Sequence, residues 1–351
     1  MKRNLEKVWD FQKDFETGLA YSIGLILVKG KPYLKAIETE TGIKVINYSE
    51  FLREDMRYWE TDSLFQKERE LCDNDGRTIL DEVIFPKENT TEMEAHIVHC
   101  SSQKRRLLGQ EYLVLIWVKG DVVRVIGFIK VKKDDERLKL SIELLDRFLK
   151  LGKTITGLSA DGWFFKENFV KDLKEREISF VSRPRKDSWW YLGNQEIQLK
   201  EYVKTIDKGS FHHYARENVY AKGITVANQE YGYCKVVILK PKHSTPPEDY
   251  IFIVSTNKNL TVREIIAGKK LRWKIEVVFR DCSQNLGLKD CQAYKKASET
   301  HVAMVFLTYN YLSSIKEKEG GSIGMLKRNF IKTCKPVTTN IIAFKPLERV
   351  A

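Results

Sequence analysis

Three acidic residues lie far apart in the chain, each in a segment where a carboxylate could do chemistry. Asp81 lies in "ILDEVIF", Asp161 in "LSADGWFF", and Glu276 in "LRWKIEVVFRDCSQNLG". Both Asp residues follow short apolar stretches, and an ionised carboxylate is costly to desolvate unless a cation or a partner compensates its charge. These are positions where a metal-bound carboxylate is expected. Taken singly, Asp81 also fits an ordinary strand-edge residue, and Asp161 fits a helix N-cap.

The segment around Glu276 predicts an amphipathic helix with cations beside its carboxylate. Apolar residues recur there at steps of three and four, which makes one stripe: Ile275, Val278, Phe279, Cys282 and Leu286. Arg272, Glu276 and Arg280 follow one another at steps of four on another face. The simple interpretation is a surface salt-bridge ladder. The alternative is that an arginine orients Glu276 or binds a phosphate.

Composition favours a globular protein that binds a polyanion. The 351 residues are 42% hydrophobic, enough for a sizeable core and more than one domain. Sixty Lys and Arg residues against 48 Asp and Glu give a net charge of +12, which points to nucleic acid. No apolar run is long enough to cross a bilayer and the N-terminus has no signal-peptide core, so we expect a cytoplasmic protein with no membrane partner. The six scattered cysteines argue against a zinc ribbon and a disulfide framework.

The order of predicted elements indicates the fold class. From Thr78 onward, β-type runs precede a helix, and then a strand, a helix and a strand follow. Three antiparallel strands followed by alternating helix and strand are the order of an RNase H-like α/β fold, a mixed sheet with flanking helices. In that order, Asp81 on the first strand and Asp161 after the fourth lie side by side, and Glu276 from a later helix leans over them.

Changes in pattern divide the chain into five predicted regions. Residues 1–76 form a small N-terminal region that is a candidate for DNA binding. Within it, "SIGLILV" predicts a short β run. Residues 77–183 form the first part of the core, and 184–262 a β-rich insertion before the last catalytic helix. Residues 263–318 return to core helices, and 319–351 form a basic C-terminal tail.

Four segments resemble DDE transposases of bacterial insertion sequences, in the hairpin-forming group typified by insertion sequence four. These are "ILDEVIFPK", "RRLLGQEYLVLIWVKGD", "ADGWFFKENFVKDLKEREISFVSRPRKD" and "RWKIEVVFRDCSQNLGLKDCQA". The last resembles a Tyr-x2-Arg-x3-Glu-x6-Lys signature through Arg272 and Glu276. The sequence departs from that signature at Lys269 and Ser283. The first motif reads Asp-Glu-Val where the family has Asp-Asp-Thr, so Glu82 is an alternative first acid.

The resemblance implies an enzyme that cuts and joins DNA. Asp81, Asp161 and Glu276 would hold two Mg²⁺ or Mn²⁺ ions that activate a water or a DNA 3′-hydroxyl. Its partners would be double-stranded DNA, both transposon-end inverted repeats and target, with a homodimer in the DNA complex. We predict DNA contacts from basic residues and from tryptophans that could stack on bases: Arg272, Lys269, Arg280, Lys274, Arg183, Arg185, Lys186, Trp189 and Trp190, with Trp163 and Trp273 as further stacking candidates.

Three other functions fit parts of the sequence. A degenerate or domesticated transposase would bind DNA without cutting it, which the altered signature favours. A stand-alone RNase H-like nuclease would cut without needing a particular end sequence. A β-rich interaction protein would use the acids in salt bridges and would show no salt-dependent DNA affinity.

Overall fold

The computed structural model describes residues 16–53, 61–86, 95–100, 105–242, 245–290 and 295–333. Within those residues, twelve strands form one sheet, in the order β2-β3-β1-β5-β6-β12-β11-β10-β7-β8, with β4 paired to β3 and β9 to β10. The strands are β1 (Arg77–Pro86), β2 (His96–Cys100), β3 (Arg105–Lys119), β4 (Val122–Val131), β5 (Leu158–Ser159), β6 (Phe180–Ser182), β7 (Trp189–Leu192), β8 (Gln195–Gln198), β9 (His212–Tyr214), β10 (Val219–Asn228), β11 (Gly232–Lys240) and β12 (Ile251–Ser255).

Helices cover both faces of this sheet. Their bounds are α1 (residues 16–27), α2 (Leu34–Thr41), α3 (Val45–Arg53), α4 (Thr61–Glu70), α5 (Arg137–Leu149), α6 (Glu167–Glu175), α7 (Leu199–Thr205), α8 (Val262–Leu271), α9 (Trp273–Asn285), α10 (Lys295–Glu319) and α11 (Ile323–Thr333). No helix in the described part of the chain is long and apolar enough to cross a membrane.

The central strands follow the predicted order. β1 pairs antiparallel with β3 and parallel with β5, and β5 pairs parallel with β6. β5 and β6 are short and fully buried, as parallel strands covered on both faces are. This arrangement confirms the predicted RNase H-like α/β class with its β-rich insertion.

Alternation along β1 separates two cores. Ile79 and Val83 belong to the cluster packed against α9 and α10, whereas Leu80 belongs to the cluster packed against α5 and α6. Successive strand residues point to opposite faces, so neighbouring residues of β1 enter different cores. The same alternation decides the surroundings of Asp81 and Glu82.

The predicted insertion extends the main sheet. β12 pairs with β6, and β11 and β10 continue outward from it, so strands 184–262 add to one continuous sheet. α8 then crosses the face of these strands. Its start is held by a capping box, in which the Thr261 hydroxyl accepts from the Glu264 N–H and the Glu264 carboxylate accepts from the Thr261 N–H.

The N-terminal region packs on the same core as α9 and α10. The predicted β run "SIGLILV" is wrong, because residues 16–27 are helical and bury Tyr21 and Leu25 against that core. The Tyr21 hydroxyl bonds His301 Nδ1 of α10 at 2.8 Å. Short apolar runs suit strand and helix alike, and burial on α10 decides for the helix.

The region predicted as a C-terminal tail begins with a packed helix. α11 buries Ile323 and Leu326 in the core. Lys327 lies beside them and its ammonium donates to the carbonyls of Leu25, near the end of α1, and Asn285, at the end of α9. Residues 334–351 lie outside the described residues.

Candidate active site

β1 places Asp81 and Glu82 on opposite faces of the sheet. Asp81 Oδ2 accepts from Arg272 Nη1 at 2.8 Å on the face covered by α9. Glu82 lies on the other face, where burial and then the charge of Glu111 raise its pKa to about 7. Asp81 is therefore the acid of this pair that lies beside Arg272.

Asp161 comes directly after β5, at the end of the sheet where β5 and β6 finish. The Ser182 hydroxyl donates to the carbonyls of both Ala160 and Asp161, at 3.1 and 3.0 Å, and so ties the end of β5 to β6. Gly162 then passes so close to β6 that an added Cβ would lie 2.9 Å from the carbonyl oxygen of Arg183. The Asp161 side chain is exposed and caps no backbone N–H of the following 3₁₀ turn. The N-cap interpretation of Asp161 therefore has no hydrogen bond to support it.

Glu276 and Arg272 lie at the junction of α8 and α9. Close packing fixes the end of α8 over the parallel strands: an added Cβ on Gly268 would lie 3.3 Å from Val181, and the Ser159 hydroxyl donates to the Gly268 carbonyl at 3.0 Å. The chain turns at Arg272 into α9, whose first turn carries Glu276. One arm of the Arg272 guanidinium contacts Glu276 and the other contacts Asp81.

The charges of Asp161 and Glu276 act on the Asp81 carboxyl. Burial raises the pKa of the Asp81 carboxyl to about 6; the Arg272 guanidinium opposes this shift, as does the Glu82 N–H. The negative charges of Asp161 and Glu276 raise the same pKa further. A buried carboxylate repelled by two others is stabilised by any added cation. The structure therefore brings the three acids into one electrostatic neighbourhood.

The donor chemistry at this site fits a hard divalent cation. Carboxylate oxygens are the ligands that Mg²⁺ prefers, usually with retained water and substrate phosphate. Among the described residues, however, no three His, Cys, Asp or Glu side chains are already arranged around one metal position. Both oxygens of Asp81 are engaged, Oδ2 by Arg272 and Oδ1 by the Glu82 N–H at 3.0 Å. The residues suit the ion in kind, but Arg272 occupies one oxygen of Asp81 and one of Glu276.

A cationic cleft adjoins Asp161. Burial lowers the pKa of Lys269, and the positive charges of Arg183 and Arg272 lower it further, which places the three cations close together. In the described part of the chain neither Lys269 nor Arg183 forms an ion pair. Two cations without an ion pair in that part of the chain, together with Arg272, which pairs with two of the acids, suit a phosphate group. The cleft is lined by Ser159, Ala160, Asp161, Val181, Ser182, Arg183, Ile253, Lys269 and Arg272.

Other predicted basic contacts lie outside this cleft. Lys274 pairs with Asp121 of the β3–β4 turn at 3.0 Å, so it joins α9 to that turn. Arg280 is exposed and, within the described residues, pairs with no carboxylate. Of the two arginines predicted to lie beside Glu276, Arg272 pairs with it and Arg280 does not.

The two tryptophans of β7, both predicted to contact DNA, differ in exposure. Trp189 is 53% exposed, whereas Trp190 is completely buried and packs against Phe165 and Tyr231. Trp190 is a core residue, so its predicted stacking on DNA is wrong for this conformation. Arg185 pairs on the surface with the nearby Asp187, and Lys186 donates to the Glu248 carbonyl at 3.2 Å.

The two other stacking candidates are on the surface. Trp163 is 41% exposed and Trp273 59% exposed. Trp163 follows Asp161 by two residues and carries the Lys166 ammonium 4.2 Å from its ring centre.

Sequence reasoning missed a cluster on the far face of β1. Arg137, from the first turn of α5, donates two hydrogen bonds to Glu111, at 2.5 and 2.7 Å, and its guanidinium lies 5.8 Å from the ring centre of Trp163. Glu111 neighbours Glu82, which follows Asp81. The cluster thus links the segment of Asp81 to the segment of Asp161. Its only signal in the sequence was a charged residue, Glu111, at the start of the apolar run "EYLVLIWV".

Comparison with known proteins identifies the family. Residues 119–311, more than half of the chain, match the family described as transposase DDE domain. This chain belongs to that transposase family. The match confirms the resemblance to DDE transposases, and the insertion-sequence-four type is consistent with it. The matched segment of the DDE domain contains Asp161 and Glu276, and Asp81 precedes it.

A solved structure has a similar fold. The piggyBac transposase, in a synaptic complex with hairpin DNA, superposes with a TM-score of 0.52 over 91% of this chain and 70% of that chain, at 11% sequence identity. At that identity the likeness shows that the two proteins share a fold. Among curated protein sequences, none matches this chain.

Proposed function

We propose that this transposase cuts DNA strands at the ends of an insertion sequence and joins them to a target. The observation that carries this proposal is that Arg272 bridges Asp81 and Glu276, from distant segments, and lines the same cleft as Asp161. A structural salt bridge between Arg272, Asp81 and Glu276 needs no third acid there, and Asp161 forms no ion pair within the described residues, so the trio suits an added divalent cation. Substrate DNA with its metal ions would supply that cation.

The roles follow from the position of each group. Asp81, Asp161 and Glu276 would hold Mg²⁺ or Mn²⁺, two ions by the resemblance, which when bound supply an activated water or 3′-hydroxyl and stabilise the leaving oxygen. Ser182 holds the carbonyl of Asp161 and thereby the direction of that strand end. Arg272 stands between two of the acids and beside the cleft, where it can contact a phosphate.

Double-stranded DNA is the proposed partner. Lys269, Arg183 and Arg272 form a cationic cleft beside Asp161, as a phosphate near the reacting bond requires. The similar piggyBac transposase was solved in a synaptic complex with hairpin DNA, which supports a DNA substrate here as well. We expect affinity for duplex DNA to fall steeply as salt rises, because each phosphate contact releases counterions.

Strand cleavage tests the proposal. Purified full chain is incubated with Mn²⁺ and duplex DNA carrying the inverted repeats that flank the gene, and nicked and joined products are resolved. We expect products with the wild type and loss of at least about a hundredfold in rate for Asp161→Asn. Asp75→Asn, an exposed aspartate in the turn before β1, is the matched control and should retain activity. Equal cleavage by wild type and Asp161→Asn would refute the assignment.

A second function is binding without cleavage. It is favoured by the altered signature positions Lys269 and Ser283 and by the engagement of Asp81 and Glu276 with Arg272. Salt-dependent DNA binding with no cleavage in Mn²⁺ would support this second function. Cleavage of DNA that lacks the repeats, at the same rate, would instead indicate a stand-alone nuclease.

A further inference from the structure

A single guanidinium engages two of the three acids. Arg272 Nη1 lies 2.8 Å from Asp81 Oδ2, and its Nη2 contacts Glu276 Oε1. About a quarter of the Arg272 side chain is exposed, and Asp81 is more buried than that. Arg272 is therefore the counter-ion of this carboxylate pair.

This contact competes with any divalent cation at the same oxygens. A guanidinium carries only donors and an unchanging positive charge, so it cannot serve as a ligand and it repels a metal ion. The other oxygen of Asp81 already accepts from the Glu82 N–H. A cation that binds through Asp81 Oδ2 and Glu276 Oε1 must therefore displace Arg272 from them.

The cleft beside Asp161 offers Arg272 another partner. Arg272 also lines that cleft, together with Lys269 and Arg183. Two further cations there disfavour an empty cleft and favour a bound phosphate. A phosphate accepts two parallel hydrogen bonds from one guanidinium, as a carboxylate does, so the exchange of partners keeps the hydrogen bonds of Arg272 satisfied.

We propose that Arg272 couples metal binding to DNA binding: it neutralises Asp81 and Glu276 until a DNA phosphate enters the cleft and takes its guanidinium. With this coupling, Asp81 and Glu276 bind a cation chiefly when DNA is bound. This inference rests on the proposed function, because it concerns the same acids. Coupling between two ligands is reciprocal, so Mn²⁺ tightens DNA binding by the same factor as DNA tightens Mn²⁺ binding.

Mn²⁺ binding to the full chain tests the coupling without any cleavage. Affinity is measured by calorimetry and by the loss of the free Mn²⁺ electron-spin signal, with and without a mixed-sequence 20-base-pair duplex. We expect the duplex to raise the Mn²⁺ affinity of the wild type about tenfold. Arg272→Met should bind Mn²⁺ about tenfold more tightly than the wild type without DNA, and should gain little from the duplex.

A matched pair of variants controls for charge and folding. Arg147→Met removes an arginine that pairs with Glu143 four residues earlier on α5, far along the chain from the site, and should bind Mn²⁺ as the wild type does. Arg272→Lys keeps the charge without the fork-shaped donor set. It should give an intermediate Mn²⁺ affinity, and it replaces Arg272→Met if that variant does not fold.

The outcomes separate this inference from the proposed function. Asp81→Asn should weaken Mn²⁺ binding in every condition, and Mn²⁺ binding unaffected by Asp81→Asn would refute the proposed metal site itself. If Asp81→Asn weakens binding but neither Arg272 variant binds Mn²⁺ more tightly than the wild type, the coupling by Arg272 is refuted and the metal site stands. Failure of both Arg272 variants to bind Mn²⁺ without DNA also refutes the coupling, because freeing the carboxylates would then not suffice.

Discussion

The Arg137–Glu111 pair behind the site gives a sharp prediction on stability. Arg137→Met removes a guanidinium that donates two hydrogen bonds to the Glu111 carboxylate, whose side chain is 1% exposed. Removing one side of a buried ion pair costs about 3–5 kcal/mol, since the remaining charge loses its closest counter-ion contact in a low dielectric. The Arg137 side chain is 33% exposed, so water can compensate in part, and the neighbouring Glu82 adds repulsion. We expect a loss of about 3 kcal/mol.

Urea unfolding followed by circular dichroism measures this loss. The control is Arg176→Met, since Arg176 pairs with Asp146 in similar geometry but with 26% and 33% of the two side chains exposed. That pair should cost about 1 kcal/mol or less, as exposed pairs do. Glu111→Gln added to Arg137→Met should recover at least half of the loss, because it removes the buried negative charge that Arg137 had paired with.

Two results would refute this reasoning. One is a loss for Arg137→Met that is no larger than that for Arg176→Met. The other is a double variant with Glu111→Gln that is no more stable than Arg137→Met alone, which would show that packing of the Arg137 stem, and not the buried charge, determines the cost.

Three further predictions concern the site turn, pH and the paired tryptophans. Gly162→Ala should lower strand cleavage at least about tenfold, because its Cβ would meet the Arg183 carbonyl at 2.9 Å and shift the turn after Asp161. Burial lowers the pKa of Lys327 to about 8, below its unfolded value of 10.5, so the unfolded state binds the proton more tightly and stability should rise between pH 8 and 10.5. The unfolding free energy of the wild type relative to Lys327→Met should therefore grow by up to about 2 kcal/mol from pH 7 to 9.5. Trp190→Ala should cost about 3–5 kcal/mol in urea unfolding, whereas Trp189→Ala should cost less than about 0.5 kcal/mol and weaken hairpin DNA binding about fivefold or more.

Each of these predictions has its own contradicting outcome. Gly157→Ala is the control for the site turn, since its Cβ would meet nothing closer than 3.9 Å, and equal activity losses for both glycine variants would remove the steric argument. A pH-independent difference between wild type and Lys327→Met would show that the ammonium keeps its ordinary proton affinity. Unchanged DNA affinity in Trp189→Ala would exclude stacking by that residue.

Patterns in the sequence were enough to predict helices that bury one face, and helix ends that are held by neighbouring residues. The helix carrying Glu276 repeats its apolar residues with helical spacing, and the start of α8 carries its capping box in neighbouring residues. The family resemblance also came from local motifs around Asp161 and Glu276, and it is confirmed. By contrast, residues 16–27 contain an apolar run that suits either state, and only packing against α10 made it helical.

The candidate site shows the same division. Local patterns selected Asp81, Asp161 and Glu276, but left Asp81 and Glu82 as alternatives, because a strand pattern gives alternation without saying which face meets which helix. The structure places Asp81 toward Arg272 and Glu82 toward Glu111. Trp189 and Trp190 likewise differ in exposure only because β7 presents one side to the core.

The sequence by itself determined the class of fold, the family and the types of side chain at the site, since these depend on periodicity and on motifs of neighbouring residues. Only the tertiary structure decided that the β-rich segment continues the main sheet and that Arg272 bridges two acids 195 positions apart in numbering from Asp81 to Glu276. Contacts between distant segments depend on strand register and on the angle at which helices cross the sheet. Those are set by the packing of the whole core, which no local stretch of sequence encodes.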